Sequence, residues 1–404
     1  MLKNTLFISY DGLTDSLGQA QILPYLIGLS LKGHRISILS CEKLENFKKN
    51  KRVVQQKCTK ANIRWDYIEY NNSIPVLSSF LTVRKLKAKA VVIAKRDQIQ
   101  VVHCRSIIPA MVGESVKKKL AVKLIFDIRG FWADERVDGK IWNLKNPVYQ
   151  FLYNYFKAKE KYLFQQADCI VTLTENAKEY IVKEFQTKNN FLVVPCCVDF
   201  DHFDPSKIEQ IEIEELRKLI GIPEKDYVLT YVGSLGTRYM LLEMLSFFKV
   251  LKGKKPQASF LFVSKSDTSE IEIICNQIGL DFNSIHITSC EYSQIPTYIS
   301  IGNASVFFIV TSFSGKAVSP TKQAEVLSLG LPIVANSGLG DTDIILEKTE
   351  SGIILKEFND EEYDRMIKEL FKIKKNKSEI RKSAKQFFTL ESGIEKYDAV
   401  YKKL

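Results

Sequence analysis

Apolar runs too short to be helices alternate along this chain with stretches whose apolar positions recur at helical spacing. Turn-forming residues separate the two kinds of segment. Asn4 to Ser9 reads as a strand. The loop after it passes through Gly18 and Gln19 into a helix carrying Ile22, Leu23, Leu26, Leu29 and Leu31; Gly33 ends that helix, and Arg35 to Leu39 supplies the next strand. Ile63 to Glu69, Val101 to Cys104, Val122 to Asp127, Cys169 to Leu173 and Phe191 to Val194 continue the strand series, with helices over Ile74 to Arg96 and Val148 to Gln166. The turn-rich Pro195 to Pro205, PCCVDFDHFDP, is the candidate domain boundary. Beyond it come a helix at Ile213 to Ile220 and strands at Tyr227 to Val232, Ser259 to Ser264, Ile285 to Thr288, Ser305 to Val310, Leu331 to Ala335 and Gly352 to Leu355. Asn359 to Ala384 reads as helical, and Phe387 to Leu404 as a terminal helix with Tyr397 and Tyr401 on one face. This rhythm predicts an α/β chain with a doubly wound, mostly parallel sheet in each half.

Composition changes that picture little. At 404 residues the chain exceeds what one hydrophobic core organises, and 45% apolar residues is ordinary for a globular protein. Eight cysteines form no disulfide framework and no zinc spacing, which fits a reducing compartment, and no metal is expected. Met1 to Phe7 is no signal peptide, and no window is apolar enough to span a bilayer. Localisation is therefore expected to be cytoplasmic.

The net charge of +11 favours anionic partners, among them a membrane surface or phosphate-bearing ligands, and serves equally well as a solvated surface. The basic helix at Ile74 to Arg96 is the candidate for peripheral contact with the inner face of an anionic membrane. Nucleic acid is disfavoured, because no helix-turn-helix, RNP or zinc module is present.

Candidate chemistry gathers at predicted strand ends, where open α/β sheets bind ligands. Ser312 to Ile344 leads from a strand through a glycine-containing loop to Ser319-Pro320, read as an N-cap followed by proline at the first helical position. Lys322 and Glu325 then share one helix face. Gly233-Ser234-Leu235-Gly236 follows a strand directly and can turn backbone N–H groups toward a phosphate, with Arg238 as a bidentate partner. Lys265, after another strand, is a further cation. His103 and Arg105 end one strand, Asp127 and Arg129 another, and Trp132 follows. His103 reads equally as a sugar contact or a packed core histidine, and Asp127 with Arg129 equally as an internal ion pair. No GxGxxG, catalytic triad or Cys/His pair is present.

The segment SPTKQAEVLSLGLPIVA, from Ser319 through Glu325, Gly330 and Pro332, resembles the donor segment of retaining glycosyltransferases of the GT-B fold, family 4-like and group 1, of the bacterial polysaccharide type. Gly18-Gln19, Gly233-Ser234 with Arg238, and Pro195 to Phe203 support the resemblance. It implies two Rossmann-like doubly wound domains facing across a cleft: an acceptor domain at 1–200, with 385–404 crossing back onto it, and a donor domain at 201–384.

The resemblance also implies a nucleotide-diphosphate sugar, UDP- or GDP-linked, as donor substrate, without a cofactor, and a glycan or lipid-linked glycan as acceptor. Donor-binding residues would be Gly233, Ser234, Lys265, Ser314, Gly315, Ser319, Thr321 and Glu325. Arg238, Lys322 and His103 would be catalytic, and Gly18, Gln19, Arg105, Arg129 and Trp132 would bind the acceptor. Two departures stand out: Ala317 holds the place of the family's first glutamate, and Tyr239 to Phe248 lacks the lysine that usually follows the arginine. The runner-up readings are a sugar-nucleotide epimerase on the same scaffold and a catalytically silent homologue acting as a binding protein.

Overall fold

In a computed structural model, which describes residues 1–70, 75–187, 189–236 and 238–404 (the backbone alone for 75–80), the chain divides into two compact units. The first comprises Met1–Val137, Ile141–Cys197 and Leu390–Leu404, the second Asp138–Lys140 and Val198–Thr389.

The first unit is built on seven parallel strands: β1 Asn4–Ser9, β2 Arg35–Lys43, β3 Arg64–Tyr70, β4 Val101–Arg105, β5 Lys123–Asp127, β6 Cys169–Thr172 and β7 Asn190–Val193. Their order is β3-β2-β1-β4-β5-β6-β7. The second unit has six, also parallel: β8 Tyr227–Val232, β9 Ala258–Val263, β10 Ile285–Thr288, β11 Ala304–Phe307, β12 Ile333–Asn336 and β13 Gly352–Leu355, ordered β10-β9-β8-β11-β12-β13. Helices cover both faces of a sheet so ordered, which is why its strands read as continuous apolar runs: every residue of β9 is buried. Phe248 packs with tilted rings against Phe260 of β9, which in turn packs on Phe262 of the same strand with ring centroids 4.1 Å apart. Each order reverses once, between β1 and β4 and between β8 and β11, and such reversals open a crevice at the carboxyl ends of the strands.

The terminal helix Leu390–Lys403 belongs to the first unit, where Tyr397 and Tyr401 are both buried. Gly28 lets it approach: a Cβ at that glycine would lie 2.2 Å from Ile394 Cδ1. His34 meets Asp398 at 2.9 Å and Lys402 meets the other oxygen of that carboxylate at 2.7 Å.

Three local expectations need correction. The helix after Gly18 is two, Ser16–Gln21 and Leu23–Leu31, because Pro24 opens the second and Ile22 between them leaves helical geometry. The helix over Asn359 to Ala384 is also two, Asp360–Lys372 and Lys377–Phe388; Asn376 and Glu379 form a capping box that starts the second afresh. Finally, Ser319 is not the N-cap of the helix Thr321–Ser328. Pro320 holds that place in extended backbone with ψ 119°, so the helix begins one residue later.

The basic helix is Pro75–Arg96; Ile74 lies outside the described residues. No helix among the described residues is long and apolar enough to cross a membrane.

Candidate active site

The second unit gathers its polar side chains at the β8/β11 reversal. β8 ends at Val232, and Gly233 turns the chain with φ +129°, a region that favours glycine. Its N–H donates to the Val263 carbonyl at 3.0 Å, and the Leu235 N–H to Ser266 Oγ at 3.1 Å, so the turn is pinned to the end of β9. Tyr231 donates to the Ser234 carbonyl from below. Arg238 is held by backbone pairing, its carbonyl accepting from the Val310 N–H at 2.9 Å, and its Nη2 donates to Ser314 Oγ at 3.1 Å. Ser314 and Gly315 lie in the short turn Phe313–Ala317, and Gly315 accepts from the Gly340 N–H at 2.8 Å.

Lys322 rises from the first turn of Thr321–Ser328 into a cage of two phenols. Its Nζ donates to Tyr231 Oη at 2.9 Å and stands 4.0 Å from the Tyr231 ring centre and 3.9 Å from that of Tyr239. A Cβ at Gly233 would lie 3.1 Å from that ammonium, so the lysine sits directly under the glycine turn. Glu325, one turn on, is buried, and its carboxylate accepts no hydrogen bond among the described residues. Burial pulls Lys322 down to about 7, with the Glu325 charge opposing; burial pushes Glu325 up to about 7, with Lys322 opposing. Two cations and one unpartnered carboxylate around a glycine turn can hold a diphosphate and, beside it, neutral hydroxyl donors.

Other expected donor residues lie farther from this centre. Lys265 is more than half exposed and pairs with Glu291 at 3.0 Å. Ser319 and Thr321 flank the helix start, half-buried. Ala317 is buried, in the turn that presents Ser314.

In the first unit the structure brings together His103, Arg105, Asp127 and Arg129 at the β1/β4/β5 ends. His103 is buried; Nδ1 meets Tyr401 Oη at 2.8 Å and Nε2 lies 3.6 Å from Asp127 Oδ2. Tyr397 donates to the same Asp127 oxygen at 3.1 Å. Gly18 is buried against the preceding loop: a Cβ there would fall 2.1 Å from the Gly12 carbonyl oxygen, so packing alone demands glycine. Gln19 donates back to the Thr14 carbonyl at 3.4 Å. Trp132 stacks on the Arg136 guanidinium at 4.1 Å and packs on Trp142 and Phe156. Tyr231, Tyr397 and Tyr401 were absent from the expected site. Tyr231, two residues before a strand-end glycine, carried the one local signal that marks it. Among the described residues no three His, Cys, Asp or Glu side chains converge as a metal centre requires.

Comparison with known proteins agrees with this geometry. Residues 26–202 match the model of Glycosyltransferase Family 4, and residues 212–387 that of Glycosyl transferases group 1. EpsD of Bacillus subtilis (strain 168), a protein named as a glycosyltransferase, is 23% identical over 321 residues, 76% of either chain. A glycosyltransferase structure from Rickettsia africae ESF-5 superposes with a TM-score of 0.72 at 16% identity, covering 100% of this chain and 98% of that one. Anabaena Alr3699/HepE, solved in complex with UDP and glucose, gives a TM-score of 0.68 at 14% identity over the whole of both chains. With both halves matched in order and both sheets wound alike, the chain belongs to the GT-B-fold glycosyltransferases, family 4 in its first half and group 1 in its second.

Proposed function

We propose that this enzyme is a retaining glycosyltransferase that moves a sugar from a UDP- or GDP-linked donor to a hydroxyl of a glycan or lipid-linked acceptor. One observation carries the reading: Lys322, from a separate helix, lies under the Gly233 turn, in the same site as Arg238 and an unpartnered Glu325. The turn, Ser234 and the two cations hold the pyrophosphate; Ser314 and Gly315 orient Arg238; Glu325 accepts from ribose hydroxyls. As the glycosidic bond breaks, negative charge grows on the departing diphosphate, where Arg238 and Lys322 stabilise it most. The acceptor hydroxyl attacks the same sugar face and passes its proton to a donor phosphate oxygen, so no protein nucleophile is needed. The lysine that the family places after the arginine is supplied here by Lys322 from the other side of the site.

In the first unit, Arg105 and Arg129 serve the acceptor. His103 positions Asp127 from the core, and Gly18 serves by letting its helix pack. A lipid-linked acceptor brings the enzyme to the cytoplasmic face of an anionic membrane. Supporting this, the helix Pro147–Gln166 leaves Val148, Phe151 and Tyr155 exposed on one face, with Lys159 near the Tyr155 ring.

The test is ligand retention. UDP or GDP at about 100 times its Kd should stabilise the fold by about 2.7 kcal/mol in thermal unfolding, and a panel of nucleotide sugars should reveal slow donor hydrolysis. Absence of both with every nucleotide tried rejects the reading.

A further inference from the structure

Two arginines in the first unit carry more hydrogen-bonding capacity than their surroundings use. Arg105 ends β4, in register with Ser9 of β1 on one side and Asp127 of β5 on the other, at the sheet's reversal point. Arg129 follows β5 by two residues and is held at φ +56°, a region a non-glycine residue occupies at a cost. Their side chains are only 7% and 8% exposed. Each guanidinium offers five N–H donors.

Against that supply the acceptors are few. Arg129 Nη2 reaches Cys196 Sγ at 3.4 Å, a weak acceptor, and Nη1 lies 3.9 Å from Asp127 Oδ2. That Asp127 oxygen also accepts from Tyr397. Arg105 Nε lies 3.5 Å from Asp11 Oδ2 and forms no hydrogen bond with it. Nε of both arginines is buried without a partner. Burial and the neighbouring Arg129 charge pull the Arg105 pKa down, with Asp11 and Asp127 opposing, while at Arg129 burial is outweighed, chiefly by the Asp127 charge, and the pKa rises. The cavity beside the two arginines, lined also by Gln21, His103, Asp127 and Tyr397, measures about 10 Å³, room for about one water, so a ligand would meet the guanidinium groups from outside it.

We propose that Arg105 and Arg129 together bind a phosphoryl group on the acceptor, a reading that rests on the transferase function proposed above. A carboxylate presents two oxygens and suits one planar fork. A phosphate monoester presents three terminal oxygens and up to two negative charges, so it meets two forks at once. The group can reach the site on a soluble sugar phosphate or on a lipid phosphate; the chemistry recognised is the same.

The full-length protein, with UDP or GDP added in excess to fill the nucleotide site, is titrated with inorganic phosphate and followed by side-chain NMR of nitrogen-15-labelled arginine. Two protected Nε–H resonances should move with phosphate and stay still with acetate at equal ionic strength. Arg105→Lys and Arg129→Lys should each weaken phosphate binding about tenfold or more while nucleotide affinity stays within about twofold of the parent. The wild-type titration stands even where a variant folds poorly. Glucose 6-phosphate and a polyprenyl monophosphate in detergent micelles then separate the sources: the tighter binder acting through the same two resonances identifies the acceptor class. Phosphate that moves no protected arginine resonance, or binds both Lys variants as tightly as the parent, overturns the proposal. Failure of UDP and GDP to bind, with the arginine shifts intact, rejects the nucleotide reading and leaves the phosphoryl site standing.

Discussion

Lys322 Nζ donates to the phenol of Tyr231 at 2.9 Å and has the Tyr239 ring centre 3.9 Å away. The cage keeps water from the ammonium, and burial brings its pKa down to about 7. At pH 8 the free site therefore holds largely neutral lysine, and a diphosphate beside it favours the charged form. Binding of UDP or GDP at pH 8 should take up close to one proton, and affinity should fall as pH rises above 7. Calorimetry in buffers of differing ionisation enthalpy reads this directly, and Lys322→Met should abolish it. In the unliganded protein the sign is fixed by the same shift. Between about 7 and the usual lysine value of about 10.4, the unfolded chain binds the proton that Lys322 lacks in the folded chain, so this group makes stability rise with pH across that window; below it Glu325, raised to about 7, holds a proton the unfolded chain lacks and makes stability fall as pH rises from the usual glutamate value of about 4.3 toward 7. Nucleotide binding without proton uptake would show that Lys322 does not face the phosphates.

Arg238 meets Ser314 from a loop held by backbone pairing, so truncation removes charge without removing support. Arg238→Ala should lower kcat by about 100- to 1,000-fold, the usual effect of deleting one donor aimed at developing charge. The urea unfolding midpoint should stay near that of the parent. Turnover unchanged in this variant would sink the assignment of Arg238 to the pyrophosphate.

How much of this was legible beforehand depended on where each signal sits. Parallel strands announce themselves as apolar runs closed by glycine, so β8 with Gly233 and the donor segment around Glu325 were readable. The helix Leu44–Lys60 was not, because it buries only Phe47, Val54 and Cys58 and is otherwise polar. The restart at Asn376 left a visible capping box that the long lysine-rich run obscured. Within the site, the partners of Lys322 come from β8 and the loop after it, a juxtaposition that no local spacing encodes. His103 shows the same limit, since its environment is made by Tyr397 and Tyr401 from the far end of the chain.

Gly18 offers a direct separation of packing from ligand contact. With its position already in contact with Gly12 and Leu13, Gly18→Ala must push the helix Ser16–Gln21 off its loop. Overpacking of this kind costs about 1–3 kcal/mol, read as a lower urea midpoint. Nucleotide affinity, which rests on residues of the second unit, should be unchanged. An alanine variant as stable as the parent but defective in transfer would return Gly18 to the acceptor site.

Tyr401 and His103 test the hold of the terminal helix on the first sheet. Tyr401→Phe leaves His103 Nδ1 buried and without its partner, a penalty of about 1–3 kcal/mol. His103→Leu strands the phenol in the same way and also takes the imidazole from beside Asp127. Replacing both partners removes the two stranded groups together, so Tyr401→Phe with His103→Leu should lose less stability than the sum of the single changes. Urea unfolding of the four proteins gives the coupling energy. Strict additivity would mean that the 2.8 Å contact contributes nothing of its own, and that the helix Leu390–Lys403 is held by apolar packing and its other polar contacts, among them Tyr397 with Asp127 and His34–Asp398–Lys402.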